Sequence, residues 1–297
     1  MQKEVGAATE VSLFILAGGL GSRFGGGKQI ANLPGFDCTI MELSILDAYA
    51  AGVTRVVLII NAAVRKVVEQ QILARLPPRL QVELVEQHIS DLPEPYQHLA
   101  LSREKPWGTG HALWCARHQI TGPSIVITAD DHYGDHAYQQ LVEHFKSAPD
   151  CGTMVAYPLQ HTLSAQGGVN RGICQLQHGK LQSVVEHTNI TLSDELLHGV
   201  APDGTKVELA ENALASMTIW GITPAFVPVL NADFLEFLNT YDNGVRKEYY
   251  LPDGIQQAID QHQLEIQVYT ATQPWLGITY REELNHVAEQ IHELRHG

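Results

Sequence analysis

Apolar residues fall into two kinds of run along the chain. The first is short, continuous and rich in β-branched residues: 12–17 (SLFILA), 55–60 (RVVLII) and 124–129 (SIVITA). Runs of that length without polar alternation predict parallel strands buried on both faces. The second kind recurs every three or four residues. Residues 39–51 place Ile40, Leu43 and Leu46 on one side of a helix, and 64–76, 109–118 and 135–147 carry the same period. The helix at 64–76 stops at Pro77-Pro78, and 81–86 reads as a further strand. Strand and helix therefore alternate through the first 150 residues. That order predicts a doubly wound α/β sheet with its ligand at the carboxyl ends of the strands.

Beyond residue 150 the pattern turns β-rich. Residues 152–157 and 215–222 read as strands, and 172–177 and 181–186 as a hairpin around His178-Gly179. Residues 188–209 are polar and predict an irregular loop or flap. Helices are expected at 253–261 and 281–294, with an alternating strand at 264–271 between them. Acids of the last helix (Glu282, Glu283, Glu289, Glu293) predict a solvated face. No repeat or linker interrupts the chain. A single domain over 1–297 is expected, its halves 1–150 and 151–297 meeting near 149–152 and sharing one continuous sheet.

Composition narrows the function classes. Nineteen Lys and Arg stand against 33 Asp and Glu, a net charge of −14, which argues against a nucleic-acid partner. No apolar run approaches the roughly 20 residues of a membrane helix, so no membrane partner is expected. The start MQKEVGAATEVSLFILAGG reads as a first strand rather than a signal peptide. Four cysteines (Cys38, Cys115, Cys151, Cys174) without CxxC spacing predict reduced thiols in a cytoplasmic protein. Fifteen histidines are scattered, and His111 and His118 read as helix-surface or packing residues rather than metal ligands.

The chemistry concentrates in LAGGLGSRFGGGKQ, residues 16–29, where six of the ten residues from Gly18 to Gly27 are glycine. A glycine-rich turn after a buried strand lets backbone N–H groups approach phosphate oxygens, and Arg23 and Lys28 add positive charge. Two phosphate-loop patterns fail. GxxxxGK[ST] would need glycine at Ser22 and a hydroxyl at Gln29. GxGxxG would need an acid after the next strand, which ends at Asn61.

This loop resembles the signature of the sugar-phosphate nucleotidylyltransferases (glucose-1-phosphate uridylyl- or thymidylyltransferase-like). The resemblance continues through KPWGTGHAL (105–113), ITADDHYG (127–134), VNRGICQL with VVEHT (169–188), MTIWGITP (217–224), EYYLP (248–252) and WLGITYREE (275–283). It implies a Rossmann-like mixed sheet of the glycosyltransferase-A type. It also implies a reaction of an NTP with a sugar 1-phosphate that yields an NDP-sugar and pyrophosphate. Residues 1–150 would hold the nucleotide and 151–297 the sugar phosphate.

The resemblance also distributes roles. Arg23, Lys28 and Asp130 would be catalytic. Ala17, Gly18, Gly19, Gly21 and Ser22 would cradle phosphates, while Gln87, Trp107, Gly108 and Thr109 would hold the base. UTP or dTTP is favoured, because a glutamine amide can pair with a pyrimidine edge. Asp130, with Asp131 beside it, would bind Mg²⁺. Arg171, Gly172, Glu186, Thr218 and Trp220 would meet the acceptor. The sequence departs from the pattern at His187-Thr188, where relatives have Lys-Pro, at Thr218, where they have Asn, and around Trp275, where they carry a second metal-binding Asp. Two other readings stay open. One is a non-catalytic nucleotide-sugar sensor. The other is a cytidylyltransferase for a non-sugar phosphate such as phosphocholine, with Trp220, Trp275 and Tyr280 as a possible aromatic box. The amphipathic last helix and Tyr249-Tyr250 are compatible with a homo-oligomer.

Overall fold

The computed structural model describes residues 10–19, 32–164, 167–242, 248–277 and 283–296. Its strands are β1 (Ser12–Ala17), β2 (Arg55–Ile60), β3 (Gln81–Glu86), β4 (Ser124–Thr128), β5 (Asp131–His132), β6 (Gly152–Pro158), β7 (Val169–Gln177), β8 (Lys180–Ser193), β9 (Leu196–Val200), β10 (Lys206–Leu209), β11 (Leu214–Ile222), β12 (Ile266–Thr270) and β13 (Leu276–Gly277). The helices are α1 (Ile40–Ala51), α2 (Arg65–Val67), α3 (Thr109–Cys115), α4 (Asp135–Ser147), α5 (Phe226–Asn239), α6 (Leu251–Asp260) and α7 (Glu283–His296).

Eleven strands form one mixed sheet in the order β10-β9-β8-β12-β6-β11-β4-β1-β2-β3, with β7 joined to β8 and β11. The continuous apolar runs become parallel neighbours: β1 lies between β4 and β2, and the more polar β3 follows on the far side of β2. Such strands must be apolar throughout because successive side chains enter different cores. Leu13 and Ile15 of β1 pack in one core with Met41 and Ile45 of α1 and Leu141 and Phe145 of α4. Phe14 and Leu16 pack in the other with Leu113 of α3, Phe234 of α5 and Ile255 of α6. Strand β11, from the second half, runs antiparallel between β4 and β6 and joins the two halves in one sheet.

Local signals set the ends of several elements. Thr39 and Glu42 form a reciprocal capping box at α1 (3.1 and 2.7 Å), and Gly52 ends that helix at φ 113°. Glu42 is buried there, and Arg75 compensates its charge at 2.7 Å. The helical run at 64–76 is less regular than its period predicts. After α2 it continues as a π-helical turn at Val68–Ile72 and a 3-10 turn at Leu73–Arg75, and Leu76 is already extended, as the residue before a proline must be.

Two sequence expectations are corrected, and one helix is added. Residues 188–209 are an antiparallel meander rather than an irregular flap: β8 runs on to Ser193 and pairs with β9, which pairs with β10. The β8–β9 turn, Asp194-Glu195, takes positive φ at both residues (51° and 66°) without a glycine or asparagine to announce it. Helix α5 has no counterpart among the elements read from the sequence. Pro228 falls in its first turn, where the missing N–H has no intrahelical partner to lose. Tyr249 is buried, its hydroxyl donating to Asp233 at 2.6 Å, so of the pair considered for an oligomer contact only Tyr250 is exposed. Of the acids expected on a solvated face, Glu289 and Glu293 of α7 are exposed, Glu283 is half-buried and Glu282 lies outside the described residues, while Val287, Ala288 and Ile291 pack on Leu33, Ile40, Leu43 and Leu276. Among the described residues no helix is long and apolar enough to cross a membrane.

Candidate active site

A cleft of about 820 Å³ opens at the carboxyl ends of the parallel strands. Each strand delivers part of its wall because the chain leaves the sheet there and its backbone groups are free to bind elsewhere. Gly18 and Gly19 follow β1, Gln87 follows β3, and Asp130 and Asp131 follow β4. Strand β2 contributes indirectly: Asn61 Nδ2 donates to the Gly18 carbonyl (3.0 Å) and its Oδ1 accepts from Ala63 N (2.9 Å). Where a dinucleotide site would have an acid, this chain has an amide that anchors the glycine turn. Gly21, Ser22, Arg23 and Lys28 lie outside the described residues. Ala17 ends β1 with its methyl group in the core and does not line the cleft.

Gln87, Gly108 and Thr109 line one wall. Gln87 Nε2 lies 3.0 Å from the Gly108 carbonyl and 3.1 Å from His111 Nδ1. Gly108 takes φ 107°, and a Cβ there would collide with the Tyr249 carbonyl. The glycine thus serves the packing of two chain segments, held by Tyr249 N donating to Trp107 O (2.7 Å) and Gly110 N to Tyr249 O (3.0 Å). Gly108→Ala is expected to cost about 1–3 kcal/mol of stability, read as a lower urea midpoint. The Thr109 hydroxyl oxygen accepts from Leu251 N at the start of α6 (3.0 Å).

The expected base contact of Trp107 is corrected. Its ring is fully buried, its Nε1 donates to Ile89 O at 2.8 Å, and Tyr241 and the Arg103 guanidinium pack on it at 5.0 and 4.0 Å. An indole that finds a buried acceptor and aromatic neighbours is a core residue, next to the cleft wall in the chain but facing away. Lys105, within the same sequence block, is exposed at the cleft rim and is a cation that the sequence reading passed over; the half-buried acid Glu248 in EYYLP also lines the cleft and was likewise passed over.

The carboxylate pair sits deeper. Burial, and then the charge of Asp130, push the Asp131 carboxyl up to about 7; hydroxyl contacts from Thr128 (2.6 Å) and Tyr133 (3.3 Å) to its Oδ2 work the other way. The Tyr133 hydroxyl also lies 3.2 Å from the carbonyl of Thr218. Thr218 occupies a bulge of β11 at φ 61°, strain that a threonine tolerates only where its surroundings hold it. Strand β13 lies antiparallel to β5, pairing Gly277 with Asp131. This donor set suits a hard divalent cation, which binds through one or two carboxylates plus phosphate oxygens and water. Among the described residues no group of three or more His, Cys, Asp and Glu could hold a metal.

The opposite wall comes from the hairpin. Register pairs Arg171 with His187 and Gly172 with Glu186, and Arg171, Gly172, Glu186 and Thr218 all line the cleft. Arg171 turns inward. Its guanidinium lies 5.1 Å from the Trp275 ring and donates to the carbonyls of Asn170 (2.8 Å) and Thr162 (2.6 Å), leaving Nε buried without a partner. Burial lowers its pKa, against the negative charges of Asp131 and Glu186, which the cation faces. Glu186 stands exposed on the rim, its pKa raised by partial burial and lowered again by Arg171 and His187. Trp220 is the second correction: paired in register with Val126 of β4 and Met154 of β6, it is fully buried and does not reach the cleft.

Comparison with known proteins agrees with this geometry. A profile of the nucleotidyl transferase family matches residues 13–187. Among solved structures, a UDP-glucose pyrophosphorylase in complex with UDP-glucose is 16% identical, with TM-score 0.60 over 97% of this chain and 100% of its own. The UDP-glucose pyrophosphorylase of Acinetobacter baumanii is also 16% identical, with TM-score 0.61 over 97% and 94%. The inositol-1-phosphate CTP transferase of T. maritima is 15% identical, with TM-score 0.58 over 98% of each chain. No curated protein matches the chain significantly. The family profile covers more than half of the chain and most of the cleft lining, from β1 through the Asp130–Asp131 pair to Glu186, and the chain belongs to the nucleotidyl transferase family.

Proposed function

We propose that the protein transfers a nucleotidyl group from an NTP, UTP or dTTP, to a sugar 1-phosphate, giving an NDP-sugar and pyrophosphate. The observation that carries the reading is one cleft with an amide base reader and a carboxylate pair on one side, and Arg171 and Glu186 on the other. In this reading 1–150 hold the nucleotide and 151–297 the acceptor within a single domain. An oxygen of the acceptor phosphate attacks the α-phosphorus in line, the bond to the β-phosphate oxygen breaks, and pyrophosphate leaves. The acceptor is already an anion, so positioning and charge neutralisation supply the rate rather than a general base. Backbone N–H groups of Gly18 and Gly19 hold phosphate oxygens, and Arg23 and Lys28 stabilise the leaving and transferred groups. Arg171 takes the place of the lysine that the sequence lacks at His187 and meets the acceptor phosphate. Asp130 and Asp131 would hold Mg²⁺, which supplies Lewis-acid neutralisation of charge on the phosphates. The four free thiols are compatible with a reducing, cytoplasmic compartment.

A carboxylate such as Glu186 accepts strong hydrogen bonds from hydroxyl groups, which a sugar offers and phosphocholine does not. The aromatic box that phosphocholine would need lacks the Trp220 wall, and Trp275 already faces Arg171. Pyrophosphate release from a matrix of NTPs and phosphorylated acceptors, including hexose 1-phosphates, inositol phosphate and phosphocholine, tests the reading. Turnover with phosphocholine alone would sink it, and binding without turnover by any pair would favour a sensor. Within the same assay Glu186→Ala is expected to raise KM for the sugar phosphate about tenfold, leaving KM for the NTP nearly unchanged, as loss of roughly 1.5–3 kcal/mol of charged hydrogen bonding predicts.

A further inference from the structure

Gln87 faces the cleft, and a side-chain amide can be presented in two directions: carbonyl outward or NH₂ outward. The buried surroundings decide which. His111 is fully buried on α3, its ring 5.2 Å from Phe234 and 5.9 Å from Trp114. Its Nε2 lies 2.8 Å from the backbone carbonyl of Asp91. A carbonyl only accepts, so Nε2 carries the hydrogen. Burial pushes the imidazole down to about 4, and the ring is neutral near pH 7 with a lone pair on Nδ1. Gln87 Nε2 lies 3.1 Å from that lone pair and 3.0 Å from the Gly108 carbonyl. Both neighbours are acceptors. The opposite orientation of the amide would set Oε1 against two lone pairs. Both N–H bonds of Gln87 are therefore engaged, and Oε1 is left on the cleft side against Gly18, where any Cβ would collide with it.

We propose that His111 is a positioning residue which holds Gln87 with its carbonyl oxygen toward the base, so that the cleft selects a base carrying an imide N–H. The inference rests on the nucleotidyl-transfer reading above. Uracil and thymine offer such a hydrogen at N3 and guanine at N1, whereas cytosine and adenine place a lone pair at the corresponding ring position. His111 touches no substrate; it acts through Gln87.

The test is equilibrium binding, without acceptor, of UTP, 3-methyluridine 5′-triphosphate, CTP and GTP to the wild type, His111→Asn and His111→Gln. An asparagine oxygen reaches the Nδ1 position and can accept from Gln87; a glutamine amide reaches the Nε2 position and restores only the bond to Asp91. The wild type is expected to bind UTP about tenfold or more tightly than the 3-methyl analogue, which lacks the N3 hydrogen, and more tightly than CTP. His111→Asn keeps that ratio, and His111→Gln reduces it to within about threefold. A role in folding alone would move both ratios together. GTP binding as tightly as UTP assigns the imide to guanine and leaves the role of His111 standing. Equal affinity of the wild type for UTP and its 3-methyl analogue overturns the proposal, as does full discrimination in His111→Gln. Failure of the wild type to bind any NTP overturns the functional reading with it. If both variants misfold, the ¹⁵N resonances of wild-type His111 decide: the Nε2–H tautomer at neutral pH is expected, and the Nδ1–H tautomer overturns the proposal.

Discussion

Asp130→Asn is expected to lower turnover by at least two to three powers of ten, with NTP affinity reduced much less. The carboxylate pair is the site's concentrated negative charge, and the charge of Asp130 contributes to holding Asp131 near 7. Removing it relaxes Asp131 toward the ordinary carboxylate range and leaves a single anionic ligand for a divalent cation. Loss of one preorganised group that stabilises transition-state charge costs about 10²–10³ in rate, while the phosphates keep their contacts to the glycine turn. Pyrophosphate release at saturating substrate, with and without Mg²⁺ and after EDTA treatment, checks this. Wild-type turnover in the Asn variant would move the metal role elsewhere, with Asp131 the first place to look. The direction of the shift adds a pH signature. Between the ordinary carboxylate pKa and about 7, Asp131 is protonated in the folded protein and ionised in the unfolded chain. The cation-free fold therefore loses stability as pH rises through that window, and divalent-cation binding, which competes with the proton, strengthens over the same range.

Arg23→Ala is the second large effect. A positioned guanidinium beside a leaving pyrophosphate is worth roughly 3–4 kcal/mol, so kcat/KM should fall by two to three powers of ten. Stability should stay within about 0.5 kcal/mol of wild type, because a cation that waits for phosphate contributes little to packing. Thermal melts and steady-state kinetics on one preparation separate the two. Wild-type kcat/KM at Arg23→Ala would remove the glycine loop from the reaction. A loss of stability comparable to the loss of activity would make it a structural loop.

The parallel core was legible because its signals are local. A continuous β-branched run such as RVVLII can be satisfied only with apolar neighbours on both faces, and the strand β2 has the boundaries that run implies. The same holds for the His178-Gly179 turn, whose φ values of 53° and 78° close the hairpin. Carboxylates after β4 and a glutamine after β3 point to a cleft because strand ends in such a sheet converge. Helix α5 and the β8–β10 meander were not legible. Their signals are weak locally, and packing by Phe234, Ile190 and Leu197 supplies what propensity does not.

Which side chains of a motif face the ligand was decided by the tertiary structure alone. Trp107 and Gly108 are adjacent in one block, yet Trp107 turns into the core with Tyr241 and Ile89 while Gly108 lines the cleft. Arg171 faces inward because the carbonyls of Thr162 and Asn170, close by in the chain, and the Trp275 ring, more than a hundred residues away, receive its guanidinium. The orientation of Gln87 depends on His111, and the tautomer of His111 on the Asp91 carbonyl. Residue type and spacing in the sequence determined which chemical groups gather at the strand ends. Their direction, protonation and pairing followed from burial and long-range hydrogen bonds, because a donor or acceptor deprived of water must find its partner wherever the fold has placed one.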